Sequence, residues 1–82
     1  MNSKNKKEPT IKDFIGTAKF DENGGGYIWG VDKQDGHQMI AEVRGWGAIQ
    51  NLFPDDQTKA ELFQDELGKF IADAINEKLK KL

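Results

Sequence analysis

Cysteine is absent from the 82 residues, serine occurs once, as Ser3, and histidine once, as His37. No disulfide can staple the chain, and no thiolate can hold a metal or attack a substrate. With Ser3 in a lysine-rich terminus and His37 following a turn, no nucleophile and base can be paired. His37 is read as a solvated turn residue and the chain as no enzyme. A run long and apolar enough to cross a bilayer is missing too. So is a basic excess: the charge is +2 over residues 1–10, −2 over 11–54 and −2 over 55–82, summing to the −2 of the whole. Without a basic face on the folded part, nucleic-acid binding lacks its usual electrostatic drive. Membrane, nucleic acid, metal and cofactor are therefore not among the expected partners, and a cytoplasmic home is the default for a cysteine-free chain.

What is plentiful is glycine, and it is concentrated. Seven of the nine glycines and both tryptophans lie between Gly24 and Gly47. Within that segment, Tyr27 to Asp32 and Gln38 to Arg44 alternate like strands, with Asp35-Gly36 as a turn between them. A three-residue loop with Gly36 left-handed sets Val31 opposite Met39, Trp29 opposite Ala41 and Tyr27 opposite Val43, giving each strand one apolar face. Upstream, Phe14 to Phe20 alternates likewise, and the loop from Asp21 to Gly26 returns it against the central strand. Phe20 then faces Tyr27, and Trp29 lies in a trench between Ala18 and Ala41, large beside small.

After Arg44 the period changes. Trp46 to Phe53 reads as one or two helical turns stopped by Pro54, and a long helix follows from Thr58, whose spacing to Glu61 is that of a capping box. Phe63, Leu67, Phe70, Ile71, Ala74, Ile75 and Leu79 recur at threes and fours, with Lys78, Lys80 and Lys81 at the end where the helix dipole favours cations. Gly68 interrupts this helix at about 1 kcal/mol relative to alanine, which points to close packing there. The expected fold is α+β: a three-stranded antiparallel meander packed on a long C-terminal helix, with a short helix between. Residues 1–10 read as a disordered polar tail and 11–82 as a single domain of modest stability.

Candidate sites follow from what this fold leaves over. Ile28 and Ile40 on the second sheet face, with Leu62 and Leu82 beside the helix stripe, are apolar groups the monomer is expected to leave uncovered. Arg44, Gly45, Trp46 and Gly47 form a corner at the sheet-to-helix junction, where Trp46 can serve either the core or a site. A second option joins Arg44 and Trp46 to Gly24, Gly25 and Gly26 as a pocket for a nucleotide or small anion. The loop Asp21 to Gly26, with Asp32, is a poor calcium loop, because a strand follows instead of a helix.

Gly16-Thr17-Ala18-Lys19-Phe20 followed by Gly24-Gly25-Gly26-Tyr27-Ile28 resembles the first two strands of a cold-shock domain, and Ala48-Ile49-Gln50 resembles a later segment of it. A helical end replaces the strands that close that family's barrel, and its aromatic cluster is not reproduced, so neither fold nor activity carries over. The run Phe20 to Tyr27 before a strand, with a long C-terminal helix, is also similar to HicB-like antitoxins, which implies capture of a protein partner. The combined expectation is a non-catalytic binding protein acting through a homodimer and a protein partner.

Overall fold

The computed structural model describes residues 8–22 and 26–82. Most of the expected tail, and Gly24 and Gly25 of the anion pocket, lie outside the described residues. The elements are α1 (Ile11–Phe14), β1 (Thr17–Phe20), β2 (Tyr27–Val31), β3 (His37–Glu42), α2 (Trp46–Leu52) and α3 (Gln57–Lys80). The strands form one antiparallel sheet in the order β1-β2-β3, and the long last helix packs on it. This is the α+β meander that the alternation implies.

The turn α1 stands where a strand is expected to begin. The Thr10 backbone N–H and hydroxyl both donate to the Asp13 carboxylate, at 2.9 and 3.3 Å, so the local capping bonds win over strand propensity. Lys33 reaches the same carboxylate at 2.9 Å and ties α1 to the β2–β3 loop. The Thr10 N–H first, and then Lys33, hold the Asp13 carboxyl down to about 2.

Between β1 and β2 the pairing is one residue away from the expected one, and between β2 and β3 it is two residues away on the loop side and one beyond the bulge. Phe20 pairs with Ile28, Ala18 with Gly30 and Lys19 with Trp29. On the other side Ile28 pairs with Ala41, Trp29 with Met39 and Val31 with His37, and the shift between the first two leaves Ile40 as the extra residue of a bulge. The loop explains the two-residue offset between β2 and β3. Asp32 accepts the N–H groups of Gln34 and Gly36, both at 2.8 Å, so residues 32–36 close as a five-residue loop. The left-handed residue is Asp35, at φ 62°, rather than Gly36.

As a result Ala18, Phe20, Ile28, Gly30, Ile40 and Val43 face the helices, and Trp29 faces away. The inner face is stepped by residue size. A methyl built on Gly30 would stand 3.0 Å from Ile40 Cγ2 and 3.3 Å from Ile15, so Gly30 makes room for two isoleucines. Large beside small holds, but on the opposite face from the one expected for Trp29.

Helix α3 starts at Gln57, with the Asp56 carboxylate accepting the Lys59 N–H at 3.0 Å, so the N-cap is Asp56 and not Thr58. Its inward residues include Ala60, Gly68, Ala72 and Leu79, all buried, while Phe70 is 69% exposed. The stripe is rotated toward small residues because the helix sits close on β1. A methyl on Gly68 would fall 2.1 Å from Phe20 Cε1, so the absence of a side chain is what admits the ring. Farther along, Asn76 binds the edge of β1 as a strand would. Its Oδ1 accepts the Ala18 N–H at 2.8 Å and its Nδ2 donates to the Ala18 carbonyl at 2.9 Å.

Two substitutions test this seating by urea denaturation. Gly68→Ala should destabilise by roughly 1–3 kcal/mol from overpacking against Phe20, although an exposed helical site would gain about 1 kcal/mol. Asn76→Ala strands the Ala18 N–H and carbonyl and should cost about 2–4 kcal/mol. A stabilised Gly68→Ala protein would mean that α3 does not lie on Phe20.

Candidate functional site

The residues singled out from the sequence do not come together as one surface. Ile28 is 0% exposed, at the centre of the core, so it cannot be a contact residue. Ile40 is half-buried on the same inner face and packs against the core. The cause is the one-residue difference in strand phase: positions expected on a free face are those covered by α3. Leu62 and Leu82 are exposed as expected.

At the junction, Gly45 adopts φ 90° and hands the chain from β3 to α2, with open space beside both Gly45 and Gly47. Trp46 is half-buried and packs against the core cluster. The Arg44 side chain is 84% exposed and ion-pairs with Glu42. Gly26 is buried, its carbonyl accepting the Val43 N–H at 2.8 Å, with Gln64 nearby. The structure therefore gives Trp46 a packing role, and Arg44 is met by a neighbouring carboxylate.

What sequence reasoning missed is the outer face of the sheet. Every outward position of β2 is large and apolar: Tyr27, Trp29 and Val31. In an antiparallel sheet with one face to solvent, those positions are ordinarily polar. The Tyr27 and Trp29 rings meet edge to face with centroids 6.1 Å apart. Met39, 51% exposed, stands next to Trp29 on β3, and Lys19 flanks it on β1, so Lys19, Trp29 and Met39 form a row across all three strands. A signal for this was available: Ala18 and Gly30 share the parity of Ile28, and small residues mark the side a helix approaches.

Two solvent-open cavities lie elsewhere. One of about 330 Å³ is lined by Lys12, Gly16, Thr17, Asn76, Leu79 and Lys80; another of about 450 Å³ is lined by Thr10, Ile11, Lys12 and Leu82. Neither includes Arg44 or Trp46, and Lys80 is engaged by Glu77 at 3.1 Å. Among the described residues there is no group of three metal-ligating side chains and no helix long and apolar enough to cross a membrane. Compared with protein-family models, curated proteins and solved structures, the chain matches none of them.

The assignment of faces is open to a paired test by chemical denaturation. Ile28→Ala should lower stability by about 2–5 kcal/mol, as for a fully buried isoleucine. Trp29→Ala should cost no more than about 1.5 kcal/mol, the scale of losing one aromatic pair on a surface. The reverse order would return Trp29 to the interior.

Proposed function

We propose that this chain is a non-catalytic binding protein that acts as a homo-oligomer, with α3 as the face that meets a second copy. The observation that carries the reading is Phe70. Among the described residues it is the most exposed of the large apolar side chains, and it continues a row of Ala60, Phe63, Leu67 and Ala74 spaced alternately by three and four residues. That spacing is the seam by which one helix packs along another. The row begins fully buried at Ala60, is half-buried at Phe63 and Leu67, and emerges at Phe70 and Ala74.

The balance of the core supports the same conclusion. Among the described residues seven hydrophobics are buried, three of them alanines, whereas eight large hydrophobics are exposed. A chain of this size has little stability to spare, and helix-on-helix burial across a two-fold axis supplies what the monomer lacks. Leu52 on α2 and Leu62 on α3, both exposed on helices that pack together, offer a protein partner an apolar foothold beside that seam.

Sedimentation equilibrium tests the reading. The wild-type chain should associate in the micromolar range, and Phe70→Lys should sediment as a monomer with its melting temperature measured at low concentration unchanged. A wild-type chain that remains monomeric at high micromolar concentration overturns the homo-oligomer.

A further inference from the structure

We infer that the outer face of the sheet takes a proline-rich segment of a partner protein in the polyproline II conformation, seated on Tyr27, Trp29 and Met39. Self-association through α3 uses the other side of the molecule and is independent of it.

The size of the face sets the scale of its occupant. Three strands about 4.8 Å apart, each about five residues long at roughly 3.4 Å per residue, present a footprint of about 14 by 17 Å, or roughly 240 Å². A stable globular partner, or a second copy of the chain, needs about 800 Å² on each side. The footprint matches a short peptide: about five residues of polyproline II, rising about 3.1 Å each, cover the length of β2.

The hydrogen-bonding groups then select the kind of peptide. The β2 backbone is paired on both edges, so no strand can be added at the rings. Among the described residues the Tyr27 hydroxyl and the Trp29 indole N–H make no hydrogen bond, and the Lys19 ammonium forms no ion pair. All three are donors, and the hydroxyl alone can also accept. An ordinary extended segment brings one N–H per residue to a face that offers it almost no acceptor. Proline brings a carbonyl and no N–H, and polyproline II holds its shape without internal hydrogen bonds, so docking costs little ordering entropy.

Shape and charge agree with that choice. The Tyr27 and Trp29 rings are inclined at 66° with centroids 6.1 Å apart, so the pair forms a notch. A helix with three residues per turn is triangular in section and presents a ridge of pyrrolidine rings to such a notch, whereas a sugar ring calls for a flat aromatic surface. Met39, 51% exposed beside Trp29, extends the apolar floor with a side chain flexible enough to follow a ridge. The charges at the margin, Lys19, Asp21 and the Glu42–Arg44 pair, are of both signs and cancel, so the contact suits an uncharged segment.

The experiment uses the full chain carrying Trp46→Phe, which leaves Trp29 as the sole tryptophan, titrated with decaproline, with an uncharged glutamine–alanine peptide of the same length and with cellohexaose. Decaproline should change Trp29 emission saturably in the high micromolar range, and the other two should not. Followed by the anisotropy of fluorophore-labelled decaproline with Trp46 in place, Tyr27→Ala and Trp29→Ala should each weaken binding about tenfold. Trp29→Phe, which keeps a ring and loses the donor, should weaken it about three- to tenfold with the melting temperature unchanged. Salt should alter the affinity by less than about twofold, and Phe70→Lys, which breaks the α3 seam, should leave it unchanged. If Trp46→Phe does not fold, the labelled peptide reads the same losses. Absence of binding at millimolar decaproline overturns the proposal, as does equal binding of the glutamine–alanine peptide, or a change in Trp29 emission produced by cellohexaose alone. A Trp29→Lys variant that turns an associating protein into a monomer would also overturn it, because the face would then be a subunit contact.

Discussion

The close seating of α3 on the edge strand β1 is the constraint from which the other features follow. Asn76 supplies a donor and an acceptor to Ala18, whose N–H and carbonyl point away from β2, and so replaces the neighbouring strand that β1 does not have. The Thr17 hydroxyl adds a third bond to the same amide oxygen at 3.2 Å. About two turns before Asn76, Gly68 receives the Phe20 ring. These two points fix both the height and the rotation of the helix. An exposed edge strand invites pairing with another chain, and this one is closed by a side chain and a helix.

That seating decides which face of the sheet is interior. Ala18 and Phe20 must look toward α3, so by alternation Lys19 looks away, and pairing carries the choice across to β2 and β3. Ile28 and Gly30 go in; Tyr27, Trp29 and Val31 go out. The larger side chains of the central strand are thus spent on the surface, and the core is built from Ile28, Val43, Ile49, Leu79 and three alanines. Close packing of small residues lets the helix approach, and the same smallness limits the apolar area that folding can bury.

Much of the architecture was legible in the residues. The three strands, the short helix ended before Pro54 and the long C-terminal helix all follow from periodicity and from proline and glycine positions, and Gly68 does mark close packing. The phase of the sheet was not legible. The expected and observed registers, which differ by one residue between β1 and β2 and by one or two between β2 and β3, both give alternating faces, and what chooses between them is remote: the Asp32 carboxylate organising a five-residue loop, the bulge at Ile40, and an amide 58 residues from its backbone partners. The candidate site inherits this offset. Ile28 and Ile40 were chosen as uncovered because Trp29 was expected inside, and exchanging the faces exchanges core for surface. Leu62 and Leu82 depend on helix geometry alone, and their exposure was readable.

A three-stranded sheet covered on one side by helices has no structural need for a tryptophan, a tyrosine and a methionine on its other side. Polar residues there would keep the pleat and improve solubility, since β2 is already held by pairing on both edges and by Ile28 beneath. Nor does the aromatic pair compensate for the small core: an edge-to-face contact on a surface contributes about 1 kcal/mol. The aromatics are therefore not explained by what they hold together. Phe70 stands in the same position on the opposite side, where a polar residue would serve α3 equally well as a helix. The fold thus keeps little inside and presents apolar groups on two separate faces, one with the curvature of a helix seam and the other with the flatness of a sheet. The self-association proposed above draws on the first of these shapes alone, since it is Phe70 on α3, and not the sheet face, that continues the row begun inside at Ala60.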